Sequence, residues 1–578
     1  MNAQFDPILV EVIKHELASI TEEMAIAVWK TGRSAMVKTG DFATALCDAQ
    51  GRVIGQGYAA PFQLGFMISA MEHFMEKWHG QFSPGDIFVV NDPYAGITHL
   101  PDVTVIAPAF WNGEHAGFTI AYSHHTDIGG RFAGGFSSQC GEIFEEGLRL
   151  PSMKLYSLGE RNDALLDTIL ANVRMPEEWL GDVEAKVAGC WRGEQELRRV
   201  LDKYGLAHLN GCCEYLLDIA EQATRSALRE MPDGEFVYED YFEDDGFGTE
   251  GTHLALRVAL KREGDGLLVD FCGTAGQAAG AINLPMSMTK ACVYGAVKSL
   301  VDPDILTNVG LTRAITVRAP AASLVNPSFP AAVGGRAPLF FRVFDMLFRV
   351  LAKAFPDRVA VPGEGGDVLH FTGHRTDGTE FAMMDIFFGG WGARPNKDGI
   401  DGIAPMVFGS YGTIPAEILE REFPVVVEGF GYVPDTGGAG RFRGSLSIFK
   451  TWRFLNGGHA MVRTNRLVRP SPGMHGGGPG GLSANNLIRD EHSRALDAKA
   501  HVHVDVRPGD VIHHVIAGSG GHGEAINRDP AAVLEDVRNE KVSVESARSC
   551  YHVAIDTTDM TLLGDETETL RQTARDQR

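Results

Sequence analysis

The sequence predicts a multi-domain chain of mixed α/β (α+β) class: a helical, hairpin-containing N-terminal region, then β-rich, glycine-rich regions. Three observations predict this. The chain has 578 residues, more than one hydrophobic core holds. Its first part alternates apolar stripes at helical spacing with short β-branched runs. From about residue 358, glycine clusters such as Gly363-Glu364-Gly365-Gly366 and Gly476-Gly477-Gly478 separate short strand-like runs. The expected regions are 1–230, 231–357 and 358–578.

Asp6-Pro7 opens the first helix, with Asp6 as N-cap and Pro7 at the first helical position. Val10, Ile13, Leu17, Ile20, Met24 and Val28 then form one apolar face. Phe42 to Cys47 reads as a strand and Asp48 to Arg52 as a turn, which leaves Asp41 as a turn cap at a strand start. Residues 64–80 read as a helix. A glycine- and serine-rich stretch from Gly129 to Gly141 suggests a mobile loop, and 160–230 a helical run with breaks at Met175-Pro176 and Gly181-Asp182. Phe236–Phe242, Leu254–Leu260 and Leu267–Phe271 alternate like an antiparallel sheet. Helices are expected from about Pro285 to Leu300 and over 338–355. Residues 530–550 form a helical tail element, and the last dozen or so residues look frayed.

The stretch most charged with chemistry is 91–130. Two short apolar runs, 103–110 and 117–122, flank Trp111-Asn112-Gly113 and read as a hairpin. His99-x-x-Asp102 precedes the first strand, and His124-His125-x-Asp127 follows the second. In a hairpin these ends meet, so two imidazoles and one or two carboxylates converge. Imidazole nitrogen and carboxylate oxygen are ligands for a divalent ion such as zinc or manganese. The same residues also fit hydrogen-bonded turns beside prolines and glycines.

Composition excludes several classes. Net charge is −23, which repels phosphate backbones and disfavours nucleic acid. No apolar run reaches the ~18 residues of a membrane span, and the N-terminus lacks a basic-then-apolar leader pattern. The eight cysteines are scattered, without a CxxC pair, as in a reducing cytosol; a cytoplasmic location is expected. None of the glycine clusters matches a phosphate-binding fingerprint in a strand–helix context.

Several motifs together are specific: Asp41-Phe42, Asn91-Asp92-Pro93-Tyr94, Thr98-His99-Leu100-Pro101-Asp102, His124 to Gly130 and Glu145-Glu146-Gly147. Asn172 to Arg174, Phe271-Cys272-Gly273-Thr274, Pro434 to Gly444 and Arg528-Asp529-Pro530 complete the set. The chain resembles the hydantoinase B/oxoprolinase family over nearly its whole length, and its size is similar to the hydrolase branch. The resemblance implies a divalent metal held by Asp41, His99, Asp102 and His124, with zinc first and manganese second. It promotes Asp41 from turn cap to ligand. It leaves His125 to support the site or face substrate, and Asp127 to orient an imidazole or handle the proton. It also implies a hydantoinase A-type partner that binds ATP, in an α2β2 heterotetramer. The partner would phosphorylate a small cyclic amide, of lactam, hydantoin or 5-oxoproline type, and this chain would hydrolyse the activated ring. An ATP-dependent acetone- or acetophenone-type carboxylase subunit is the alternative, and a scaffold for the ATPase subunit a third reading. One departure stands out. Where the family has Pro-x-His-Leu-Gly, this chain reads Pro61-Phe62-Gln63-Leu64-Gly65, so a histidine ligand role is lost there.

Overall fold

The computed structural model describes residues 6–57, 61–135, 137–249, 251–409 and 411–577, without the side chains of Pro61 and Leu64. Residues 1–5, at the N-terminus read above for a leader pattern, therefore lie outside the described residues, as do Phe136 of the glycine-rich loop and the side chains of Pro61 and Leu64 in the departing motif. The chain forms two compact units: Met1–Val350 with Val407–Gly412, and Leu351–Met406 with Thr413–Arg578. The expected boundary at 230/231 lies inside the first unit. Residues on either side of it share backbone contact. A Cβ on Gly65 would stand 2.2 Å from the Ala291 Cα, and the Ser287 hydroxyl donates to the Ile97 carbonyl at 2.6 Å.

In the first unit, α1 (Pro7–Thr31) begins as expected, with the Asp6 carboxylate accepting from the Ile8 amide and its apolar face fully buried. A short helix, α2 (Ala35–Thr39), leads to β1 (Phe42–Cys47) and β2 (Val53–Gln56). After α3 (Pro61–Trp78) come β3 (Ile87–Val90), β4 (Asp102–Trp111), β5 (Glu114–His124), β6 (Met153–Ser157) and β7 (Glu160–Arg161). They form one antiparallel sheet in the order β2-β1-β5-β4-β3-β6-β7. The hairpin between β4 and β5 turns at Asn112 and Gly113, with φ of 52° and 83°. Positive φ at both central residues matches the right-handed strand twist.

Helices α4 (Asp163–Leu170), α5 (Pro176–Tyr204) and α6 (Leu206–Arg229) follow. Trp179, Val183, Val187 and Cys190 of α5 pack into one core with Val103 and Val105 of β4. Gly181-Asp182 does not break α5, contrary to expectation. The Arg33 side chain fills the space beside Gly181, and Asp182 accepts from the Arg33 and Ser34 amides at 2.7 and 3.0 Å. The chain breaks instead at Gly205, whose φ is 78°. The second sheet of this unit takes β8 (Glu235–Phe242), β9 (Leu254–Glu263) and β10 (Gly266–Asp270), antiparallel as expected. Helix α7 (Met286–Lys298) then returns the chain to β11 (Ile315–Arg318), which adds in parallel to β10. Helix α8 (Ala337–Ala354) follows.

The second unit holds two five-stranded sheets. One contains β12 (Glu364–His374), β13 (Glu380–Trp391), β14 (Ile400–Asp401), β17 (Gly458–Arg463) and β20 (His501–Val506) in the order β14-β13-β12-β17-β20. The other contains β15 (Val425–Val433), β16 (Ser447–Phe454), β18 (Ala484–Arg489), β19 (His492–Ala495) and β21 (Val511–Ile516) in the order β15-β16-β21-β18-β19. Its glycine clusters are close backbone contacts. A Cβ on Gly444 would lie 2.0 Å from the Ser519 carbonyl, and one on Gly480 2.0 Å from that of Gly518. The expected frayed end is instead a helix, Gly564–Asp576. Its Thr567 is buried, and Arg571 donates to the Arg528 carbonyl at 2.6 Å. Among the described residues no helix is long and apolar enough to cross a membrane, and all eight cysteines are free.

Candidate metal centre

The hairpin register pairs Asp102, at the start of β4, directly with His124, at the end of β5. Directly paired residues present their side chains on one face. On the other side of β5, Phe42 pairs with Ser123, and the His124 amide donates to the Asp41 carbonyl at 3.1 Å. Asp41 therefore sits at the same end of the sheet. His99 lies in the turn before β4, tied by the Asp102 amide to its carbonyl at 3.1 Å. One ligand atom each from His99, Asp102 and His124 lies within 4.8 Å of the others.

Asp41 joins this trio through a phenol. Tyr122, two residues before His124 and so on the same face, places its hydroxyl 3.0 Å from both Asp41 Oδ1 and Asp102 Oδ1. The Tyr411 hydroxyl donates to Asp41 Oδ1 at 2.6 Å, and Gln63 Nε2 donates to Tyr411 at 2.6 Å. Gln63, at the position where the family's histidine is missing, thus reaches the site through Tyr411. Asp102 Oδ2 is bonded by Thr98 and by Arg336 Nη2, the latter at 3.2 Å. All of these groups are buried.

Two buried carboxylates side by side are costly to ionise together. Burial, then the Asp102 charge, pushes the Asp41 carboxyl up to about 7 against the phenol hydrogen bonds. Burial also opposes charge on Asp102, but His99 and the Arg336 guanidinium bring its carboxyl down to about 2. Burial and Arg336 bring His99 down to about 4, so its imidazole is neutral near pH 7. Imidazole nitrogens beside crowded carboxylates are the donor set of a divalent ion, and a cation there would relieve the carboxylate repulsion.

The hydantoinase B/oxoprolinase family model matches residues 6–525. The chain belongs to that family. It is 30% identical to the caprolactamase subunit beta of Pseudomonas jessenii over 95% of this chain and 96% of that one. The crystal structure of the ATP-dependent caprolactamase from Pseudomonas jessenii superposes with a TM-score of 0.88 at 27% identity, over 98% of this chain and 100% of that one. Nucleotide-free acetone carboxylase superposes at 0.89 with 18% identity, over 99% of this chain and 83% of that one, a likeness of fold alone.

In this hydantoinase B-family chain, His125 and Asp127 stand apart from the His99–Asp102–His124 trio and from Asp41, which joins it through Tyr122. His125 turns to the opposite face from His124. Its Nε2 lies 2.6 Å from Lys186 Nζ, and its ring packs 5.2 Å from that of Trp179. Burial brings Lys186 down to about 7. Both Asp127 oxygens are used: Oδ2 accepts from the Gly129 and Arg174 amides, and Oδ1 from the Gly134 amide and Arg174 Nη1, at 2.8 to 3.1 Å. Asp127 thereby shapes the loop after β5. That loop needs glycine at Gly130, where φ is 81° and a Cβ would meet the Glu146 backbone at 2.5 Å.

Sequence reasoning passed over Tyr122, Arg336 and Tyr411, and took Glu146 and Gln63 only as parts of motifs. Tyr122 carried a signal: strand alternation puts it beside His124. Glu146 is fully buried and its Oε1 accepts from the Val333 and Gly334 amides at 2.7 and 2.6 Å. Burial still pushes its carboxyl up to about 8, from 4.5. A raised folded value gives stability that is complete below about 4.5 and is lost as pH rises through about 8. Glu146→Gln keeps the acceptor and removes the titration. Denaturant unfolding should show the variant gaining on the parent by up to about 1.4 kcal/mol per pH unit across that window. Parallel pH profiles would show that Glu146 does not titrate there.

Proposed function

We propose that this chain is the hydrolytic subunit of an ATP-dependent cyclic amide hydrolase, opening a lactam-, hydantoin- or 5-oxoproline-type ring that a hydantoinase A-type subunit has activated with ATP. The observation that carries the reading is the closure of His99, Asp102 and His124 to within 4.8 Å in a buried site of this family. The names of its relatives support a two-subunit cyclic amide hydrolase. The assembly expected is α2β2.

An amide is a poor electrophile because resonance stabilises its C–N bond. Phosphorylation of the amide oxygen on the partner makes an activated imidate, which must be kept from bulk water. The burial of this site serves that end. Asp41, His99, Asp102 and His124 would hold a divalent ion, zinc first and manganese second. When bound, the ion supplies Lewis-acid polarisation and a water of lowered pKa. Tyr122 and Tyr411 orient Asp41 through its Oδ1. Arg336 and Thr98 hold Asp102 through its Oδ2, and His99 with Arg336 keeps it ionised. Asp127 and Lys186–His125 support the segment that carries His124.

The test is ATP turnover by the purified two-subunit complex against a panel of lactams, hydantoins and ketones. Ring opening with ATP is expected from the complex and not from this chain alone. Bicarbonate-dependent ATP use with a ketone would overturn the hydrolase reading in favour of the carboxylase. Lactam hydrolysis by the isolated chain would overturn the two-subunit scheme.

A further inference from the structure

The second unit carries a histidine cluster that the proposed reaction does not use. Strands β17 and β20 pair His459 with Asp505, Met461 with His503 and Arg463 with His501. Cross-strand partners and residues two apart share a face. His459, His503 and Asp505 are therefore neighbours on one side of this sheet. His459 Nε2 lies 2.9 Å from His503 Nδ1, and the rings stack 5.2 Å apart at 23°. On its far side, His459 Nδ1 lies 3.0 Å from Asp505 Oδ1. The His459 side chain is 43% exposed and that of Asp505 93% exposed, so the cluster opens to solvent.

We propose that His459 and His503 form a second cation site, for a borderline transition ion of the zinc, nickel or copper kind, with Asp505 holding the His459 ring. The geometry is close to a ready chelate. Two nitrogens each about 2.0–2.1 Å from one tetrahedral ion stand roughly 3.3 Å apart, so the rings need part by only a few tenths of an ångström from their 2.9 Å contact. The Asp505 carboxylate accepts from the Nδ1–H of His459, which leaves the lone pair on Nε2 aimed at His503. A carboxylate behind a ligating histidine is the usual support of a metal-bound imidazole. With Asp505 accepting from His459 Nδ1, the 2.9 Å contact takes its proton from His503 Nδ1, and an ion held by both rings displaces that proton to the other nitrogen of the ring or to solvent. Nitrogen donors select against magnesium and calcium. With two protein ligands on an open surface the remaining positions belong to water, so the ion exchanges readily.

The test uses the full chain freed of metal by chelation, dialysed against Zn2+ and measured by elemental analysis. A His459→Ala/His503→Ala variant should lose one bound zinc per chain relative to the parent, and its circular dichroism should be unchanged because the site is at the surface. Asp505→Asn keeps both ligands and should weaken zinc there roughly 10–100-fold. Excess Mg2+ should leave that zinc in place. His99→Ala should not affect it, so loss at the first centre and loss at this one are separable. A zinc isotherm of the double histidine variant that superimposes on the parent would overturn the proposal.

Discussion

Alanine at His99 or at Asp102 should abolish metal retention at this centre and cut cyclic amide turnover by roughly 10^3-fold or more, on the order of 4 kcal/mol of transition-state stabilisation. The cause is the compactness of the cluster. Three side chains meet within 4.8 Å, and Asp41 is tethered to them through Tyr122. Taking one away leaves an incomplete shell, too few donors to hold the ion against water. Asp102→Asn is the sharper control, since it keeps volume and removes charge. Metal content by elemental analysis and kcat/KM of the two-subunit complex are read side by side. Unchanged metal occupancy in either alanine variant refutes the ligand assignment, whatever happens to activity.

Arg336→Met destabilises the metal-free protein by about 3–5 kcal/mol. Arg336 is buried, as is its partner Asp102, and the two are joined at 3.2 Å. Methionine keeps much of the volume and removes the charge that holds Asp102 ionised. The carboxylate, left with the Thr98 and Tyr122 hydroxyls and His99 but no guanidinium, must then either stay charged at a cost or take a proton. A bound divalent ion compensates part of that loss, so the penalty should shrink when zinc is restored. Urea unfolding with and without zinc measures both numbers. Equal destabilisation in the two states would mean that Arg336 does not stabilise Asp102 electrostatically.

The amino-acid sequence by itself determined the elements that local rules govern. The apolar face of α1 follows from spacing, and the hairpin from two β-branched runs around Asn112-Gly113. Because a hairpin brings its own ends together, the approach of the His99–Asp102 segment to His124 was legible too. Only the tertiary structure decided what lies around them. That β1 rather than another strand lies beside β5 puts Asp41 at the site. Strand pleating sends His124 toward that cluster and His125 to the other face, onto Lys186. Arg336 and Tyr411 stand 234 and 370 residues along the chain from the carboxylates they bond. Gly181-Asp182 stayed helical because Asp182 found two distant amides to cap. Periodicity and turn chemistry act over a few residues, whereas strand order, helix continuity and buried ion pairs are settled by burial, which only the folded chain defines.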